Sequence, residues 1–244
     1  MIRIAIAGAA GRMGRTLIEA VTASTDCTLT GAFDIGNDVP TTLRGSDVMI
    51  DFTRPEGTLA HLVACRELGV AAVIGTTGFN ADQRAEIAAH AEHVAIVMAP
   101  NMSVGVNVVL RLLELAARTL GDGFDIEIAE THHKLKVDAP SGTALKMGEV
   151  IANAQGTTLE SRAAYDRNGL RAPGSIGFAS MRGGDIVGDH TVLFAGTGER
   201  VEITHRSTSR ATYAEGSLRA ARFLIGRKRG LFGMEHVLGF EKAA

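Results

Sequence analysis

The sequence predicts an α/β protein in two parts: a doubly wound parallel sheet at the front and a second, α+β domain built on a mixed or antiparallel sheet. Three observations carry that prediction. Short apolar strands alternate with helical segments from Met1 to Met102, the rhythm of parallel βαβ units. The first strand runs directly into a glycine loop, Gly8-Ala9-Ala10-Gly11-Arg12-Met13-Gly14. From Ile176 the alternation gives way to strands, two of them joined by Gly196-Thr197-Gly198, the mark of a hairpin.

Composition narrows the function classes. A chain of 244 residues is long enough for two modest domains, each with a core, and 45% hydrophobic with 21% charged residues is ordinary for a soluble globular protein. No apolar run approaches the roughly 18 to 20 residues of a membrane span. The segment Met1 to Gly8 is too short for a secretory signal, and Cys27 and Cys65 make no disulfide framework, so a reducing cytoplasm is expected. A net charge of −2 gives no field that draws nucleic acid, and the cluster Arg219, Arg222, Arg227, Lys228, Arg229 reads as a solvated face. The expected partner is a small molecule, with no role for nucleic acid or membrane.

Met1 to Ala7 reads as a buried strand, and beyond the glycine loop Leu17, Ile18 and Val21 recur at helical spacing. Glycines let a backbone turn tightly and approach a pyrophosphate, and a helix N-terminus offers it N–H groups and a positive dipole end. This is a Rossmann-like beginning. The glycines sit as GxxGxxG instead of the commoner GxGxxG, so a turn that serves packing alone competes with the cofactor reading. The second strand, Thr28 to Phe33, ends at Asp34, where a dinucleotide fold places an acid on the ribose hydroxyls. An acid there repels a 2′-phosphate and Ile35 brings no compensating charge, which favours NADH over NADPH, although Arg12 could reach a phosphate.

Asp47 to Phe52 is the third strand, and Pro55 opens a helix to Leu68 with Leu59, Leu62 and Val63 inward. Val70 to Ile74 follows, then a helix capped by Asn80 through His90, then the strand Val94 to Met98. Ligands of such sheets lie beyond the carboxyl ends of the strands. The loops Phe52-Thr53, Gly75-Thr76-Thr77 and Ala99-Pro100-Asn101-Met102 are therefore expected to line the nicotinamide half of the cofactor.

The rhythm breaks at Val104, where a helix of about sixteen residues leads to Gly121-Asp122-Gly123; the domain boundary is placed there. Residues 1–103, completed by 213–244, form the expected dinucleotide domain, and 104–212 the substrate-binding and oligomerisation domain. Phe124, Ile126 and Ile128 alternate with Asp125 and Glu127 as a half-buried strand. A helix starts near Ser141, the charged, glycine-rich segment Gly156 to Ser175 is expected to be mobile or interfacial, and strands follow at Ile176 to Met181, Thr191 to Ala195 and Val201 to His205. The open face of their sheet suggests a homo-oligomer. Tyr213 to Ile225 is a final helix, and the tail from Gly230 to Phe240 is expected to return to the first domain.

The densest chemistry lies from Glu127 to Ala144, with His132, His133, Lys134, Lys136, Asp138 and the turn Pro140-Ser141-Gly142-Thr143. A neutral imidazole exchanges protons at cellular pH, and a lysine ammonium, with an ordinary pKa of about 10.4, can donate one or hold a carboxylate. Such groups suit reduction of a polarised C=C or C=N bond, where a hydride must be matched by a proton. The N–H groups opening a helix at Gly142 and Thr143, with the Thr143 hydroxyl, would form an anion site, which implies an acidic substrate. Zinc would need His132, His133 and a carboxylate, but adjacent histidines are poorly spaced and cysteine support is absent, so no metal is expected. A structural histidine pair stays open, and serine nucleophilic catalysis lacks its G-x-S-x-G elbow.

The whole stretch from Glu127 to Ala144 resembles, at every defining position, the signature of the 4-hydroxy-tetrahydrodipicolinate reductase family, also called dihydrodipicolinate reductases. The likeness extends through Arg12-Met13-Gly14, Asp51-Phe52-Thr53, Gly75-Thr76-Thr77-Gly78, Ala99 to Gly105 and the Gly230 to Leu238 tail. It implies a cytoplasmic, usually tetrameric enzyme of the diaminopimelate and lysine pathway. Such an enzyme uses NADH or NADPH to reduce a cyclic, unsaturated imine dicarboxylate to tetrahydrodipicolinate. By that resemblance His132 stands where the family has its acid/base residue and Lys136 where it has its proton donor, while His133, Gly142 and Thr143 would hold the substrate carboxylates. Gly8, Ala9, Ala10, Gly11, Arg12, Met13, Asp34, Gly75, Thr76, Thr77, Ala99, Pro100, Asn101 and Met102 would contact the dinucleotide. Many relatives place a basic residue directly after the acid of the second strand, where this chain has Ile35; that departure puts NADPH in doubt. Another NAD-dependent dehydrogenase acting on an amino acid or semialdehyde, and a dinucleotide-sensing regulator, are the competing readings.

Overall fold

A computed structural model describes residues 1–240 and divides them into two compact units, residues 1–104 with the chain from Arg210, and Gly105–Ser209. In chain order the first unit contains β1 (Ile2–Ala7), α1 (Arg12–Ala23), β2 (Cys27–Phe33), α2 (Val39–Leu43), β3 (Val48–Asp51), α3 (Pro55–Leu68), β4 (Ala71–Ile74), α4 (Ala81–Ala91) and β5 (Ala95–Met98). The helix α5 (Val104–Leu120) leads into the second unit, with β6 (Asp125–His132), α6 (Gly142–Ala154), α7 (Leu159–Arg162), β7 (Ala163–Ala164), β8 (Ile176–Arg182), β9 (Gly188–Ala195) and β10 (Arg200–Ser207). The chain then returns to the first unit as α8 (Ala211–Leu224), β11 (Gly230–Phe232) and α9 (Met234–Val237).

The first sheet has the order β11-β5-β4-β3-β1-β2, and every neighbouring pair is parallel. The central strands β4 and β5 read as unbroken apolar runs because both faces are covered, whereas the edge strand β2 is only partly buried. Ile4 and Ile6 join Leu17, Val21, Leu218 and Leu224 beneath α1 and α8, while Ala5 and Ala7 join Leu62, Ile87 and Ile96 beneath α3 and α4. The helices start where the sequence says they should: Pro55 occupies the first turn of α3, and Asn80 with Gln83 forms a capping box on α4. Val63 is a correction, since it is exposed; the buried stripe of α3 runs through Thr58, Leu62 and Cys65, and Val63 lies about 100° round the helix from Leu62.

The second sheet, β10-β9-β6-β8-β7, is mixed: β6 is parallel to β8 and antiparallel to β9. Period-two alternation divides its faces. Ile126, Ile128, Val192 and Phe194 pack against Val109 and Leu113 of α5 and Met147 and Ile151 of α6. Ala129, Thr131, Thr191 and Leu193 take the other face and are only half-buried.

Three features escape local pattern. No element is expected over the short α2, β11 lies in a segment expected only as a tail, and the segment from Gly156 to Ser175 is expected to be mobile or interfacial. In the structure this last segment carries α7 and β7 and is held by arginines. Arg171 pairs with Asp125 at 2.7 Å and Glu127 at 3.1 Å, and Arg162 donates to the Gly174 carbonyl at 2.5 Å. Neither cysteine is in a disulfide, and among the described residues no helix is long and apolar enough to cross a membrane.

Candidate active site

Within the second unit the site starts from the alternation of β6. Residues Ile126, Ile128, Glu130 and His132 share its helix-covered face, so Glu130 and His132 are same-face neighbours, 1% and 8% exposed. The Glu130 carboxylate lies 2.6 Å from His132 Nδ1. Arg182, which closes β8 and stands in register with His132, reaches the same carboxylate with both terminal nitrogens at 2.7 and 2.8 Å. The Ser141 backbone N–H donates to it as well, at 3.1 Å. Burial would raise the Glu130 carboxyl, but the hydrogen bonds from Arg182 and His132 outweigh it and hold the group at about 2. Burial lowers the His132 pKa, and the charges of Lys136 and Arg182 act in the same direction against the pull of Glu130. His132 is thus a neutral imidazole at neutral pH, and the short bond to Glu130 fixes its tautomer with the proton on Nδ1. The remaining nitrogen, Nε2, looks towards Gly188, where an added Cβ would lie 2.8 Å from it.

A second histidine backs the first. His190 on β9 meets the His132 ring edge to face at 5.0 Å, and its Nε2 lies 2.9 Å from the Ser141 hydroxyl. Burial and the neighbouring His132 lower the His190 pKa to about 4. Ser141 is the N-cap of α6 and accepts the Ala144 N–H at 3.2 Å, as its position before the helix leads one to expect. Glu130, through Ser141, therefore connects β6 to the start of α6, where Gly142 is exposed and Thr143 half-buried.

β6 ends at His132, so His133 lies just past the strand and is released from its alternation. Lys136 follows in the turn, its N–H on the His133 carbonyl at 3.0 Å and its ammonium 2.9 Å from Asp138. The turn closes through a cis Ala139–Pro140 bond, and Arg182 also holds the Asp138 carbonyl at 2.6 Å. His132, His133, Lys136, Gly142 and Thr143 thus lie on one strand end, turn and helix start. Arg182 and His190 are members that sequence reasoning missed. The Glu130–His132 spacing of two was a readable signal; Arg182 and His190 come from strands about fifty residues on and have no local signature.

In the first unit the glycine loop crosses from β1 to α1 with Gly8 at φ +75°, a left-handed conformation that favours glycine. Gly11 caps α1 without a side-chain hydrogen bond among the described residues, and Ala10, Gly11 and Arg12 are exposed, with Met13 half-buried. Gly14 is buried against the Gly8 backbone, where a Cβ would collide, so the helix can sit tight on the loop. Asp34, at the end of β2, accepts the Ala10 N–H at 2.8 Å, which brings the predicted acid onto the rim of the glycine loop beside the fully exposed Ile35. After β4, Gly75 admits the Phe52 ring, Thr76 is buried and Thr77 exposed. After β5, Pro100 is exposed and Asn101 half-buried, whereas Ala99 and Met102 are buried in the core under α8, so only the backbone of those two can serve a ligand. A helix N-terminus without side-chain cap, a glycine backbone and an acid on one rim fit a dinucleotide pyrophosphate and ribose. No cluster of three potential metal ligands occurs among the described residues.

Comparison with known proteins accords with both units. A family profile described as "Dihydrodipicolinate reductase, N-terminus" matches residues 2–102, and one described as "Dihydrodipicolinate reductase, C-terminus" matches 105–238. The chain is 56% identical, over an alignment 263 positions long, to the 4-hydroxy-tetrahydrodipicolinate reductase of Ralstonia nicotianae, covering 98% of this chain and all of that protein. It is equally similar, at 56%, to the protein of that name from Burkholderia multivorans, of which it covers 99%. Among solved structures, a dipicolinate-bound dihydrodipicolinate reductase from Paenisporosarcina sp. TG-14 superposes with a TM-score of 0.80 at 27% identity, over 97% of this chain and 99% of that one.

Proposed function

The chain belongs to the dihydrodipicolinate reductase family, and from that premise we propose how its residues divide the work of the reaction. It is an NAD(P)H-dependent oxidoreductase of lysine biosynthesis that converts 4-hydroxy-tetrahydrodipicolinate to tetrahydrodipicolinate. Overall, one hydride and one proton are taken up and one water leaves. Family membership sets aside the amino-acid dehydrogenase and the dinucleotide sensor.

The observation that carries the division of roles is the buried Glu130 carboxylate, which joins His132, Arg182 and the start of α6 at once. Lys136 is the proton donor: its ammonium lies in a turn, with Asp138 as its partner. His132, neutral and fixed by Glu130, is the acid/base group that presents Nε2 as the exchangeable position. His133 and the α6 start at Gly142 and Thr143 hold the substrate carboxylates, since helix N-termini favour anions. Bound nicotinamide supplies the hydride. Gly8, Ala9, Ala10, Gly11, Arg12 and Met13 would take its pyrophosphate, Asp34 the adenosine ribose, and the segments Gly75 to Thr77 and Ala99 to Met102 its nicotinamide half.

NADH is the preferred cofactor. Asp34 lies on the rim of the glycine loop, so a 2′-phosphate would meet a carboxylate there, and the adjacent Ile35 offers no cation. The protein is a cytoplasmic homotetramer, and the half-buried outer face of the second sheet, with Ala129, Thr131, Thr191 and Leu193, is the surface through which subunits join; sedimentation as a stable monomer would refute that. The central test supplies the condensation product of pyruvate and aspartate semialdehyde and follows NADH and NADPH absorbance. Consumption of neither cofactor would overturn the assignment.

A further inference from the structure

Asp51 closes β3, and the roles assigned above leave it without one. Its side chain is fully buried, a position that is unfavourable for a carboxyl group unless it is hydrogen-bonded. Here it is bonded on both oxygens. Oδ1 accepts the Thr53 N–H at 2.8 Å, the Thr53 hydroxyl at 2.6 Å and the Thr76 hydroxyl at 3.2 Å. Oδ2 lies 2.8 Å from Nδ1 of His61 on α3, and the His61 ring is held edge-on by Phe33 at 5.0 Å. The Thr76 hydroxyl itself accepts from the Thr53 N–H at 2.9 Å and from the Thr58 hydroxyl at 3.0 Å.

The network reaches the cofactor loops from below. A Cβ at Gly8 would stand 2.9 Å from the Thr53 methyl, so Thr53 rests directly on the glycine loop, and Phe52 fills the space beside Gly75. One carboxylate thereby sets the relative heights of the loops after β1, β3 and β4. An apolar residue could fill the volume, but only a two-oxygen acceptor can take these donors together and fix their directions.

We propose that Asp51, backed by His61, is a positioning residue that holds the Thr53 and Thr76 loops at the height required by the nicotinamide half of the dinucleotide. The inference rests on the reading that these loops take the dinucleotide. The test titrates the whole protein with NADH, followed by the cofactor's own fluorescence, and with ADP-ribose, which lacks the nicotinamide, followed by calorimetry. Asp51→Asn and Thr53→Val each weaken NADH binding about ten-fold, the loss of a hydrogen bond to a charged group, while ADP-ribose binding stays within about two-fold. Should Asp51→Asn fail to fold, the isosteric Thr53→Val, which removes one donor and keeps the methyl on Gly8, carries the test alone. NADH affinity retained in the folded variants, or an equal loss for both ligands, overturns the positioning role. A wild-type protein that binds neither ligand sinks instead the dinucleotide reading beneath it.

Discussion

Replacing Glu130 by glutamine keeps the shape of the side chain and removes its charge, and two routes give the size of the effect. The carboxyl is depressed from 4.5 to about 2, and the linkage between proton binding and folding makes that worth about 3 kcal/mol at neutral pH. Independently, breaking one side of a buried ion pair costs about 3 to 5 kcal/mol, and Glu130, 1% exposed, holds Arg182 at two nitrogens. Because the folded-state pKa is lowered, this stability is fully present above about 4.5 and is lost as the pH falls towards 2. Urea unfolding at pH 7 should show Glu130→Gln destabilised by about 3 kcal/mol, with the gap to wild type narrowing below pH 4.5 as the carboxyl of the unfolded wild-type chain takes up its proton while the folded one does not. Glutamine also presents an amide to Nδ1 and frees the tautomer of His132, so kcat should fall by about 10² to 10⁴, the usual worth of general acid–base catalysis, with NADH affinity unchanged. A stability gap that is constant from pH 7 to 3, or a kcat within about three-fold of wild type, would show that the network neither stores this energy nor orients the histidine.

Lys136→Ala should lower turnover by about 10² or more while the NADH dissociation constant barely moves; equal loss of both would place Lys136 in the cofactor site. Gly188→Ala puts a methyl 2.8 Å from His132 Nε2, so His132 must turn or the strand must shift; kcat should drop at least about ten-fold with little change in cofactor binding, and full activity would show that Nε2 has room to spare. NADH should exceed NADPH in kcat/KM, and Ile35→Arg, by supplying a cation beside Asp34, should raise NADPH efficiency by about ten-fold; a several-fold preference for NADPH in the wild type would refute the reasoning. Gly75→Ala drives a Cβ into the Phe52 ring and should destabilise the first unit by about 1 to 3 kcal/mol, measured by thermal unfolding.

What the sequence by itself determined is whatever depends on neighbours along the chain. The strand–glycine–helix start, the alternation that placed Ile126 and Ile128 inward, the Asn80 and Ser141 caps and the two fold classes were all legible because periodicity and capping act within a few residues. The density of the Glu127 to Ala144 stretch marked where the substrate chemistry was to be sought. Tertiary structure decided which groups share one carboxylate. Arg182 reaches Glu130 because the parallel register of β6 and β8 sets it opposite His132, and His190 meets Ser141 because β9 runs back antiparallel. Asp51 and His61 are ten positions apart in sequence, but α3 must fold over the end of β3 before their side chains can meet. Local pattern likewise overestimated Val63, since the turn of a helix towards its sheet, not its list of apolar residues, decides which of them is covered. Long-range pairing costs chain entropy and leaves no trace in local composition, which is why the supporting shell of the site appears only once the strands are assembled.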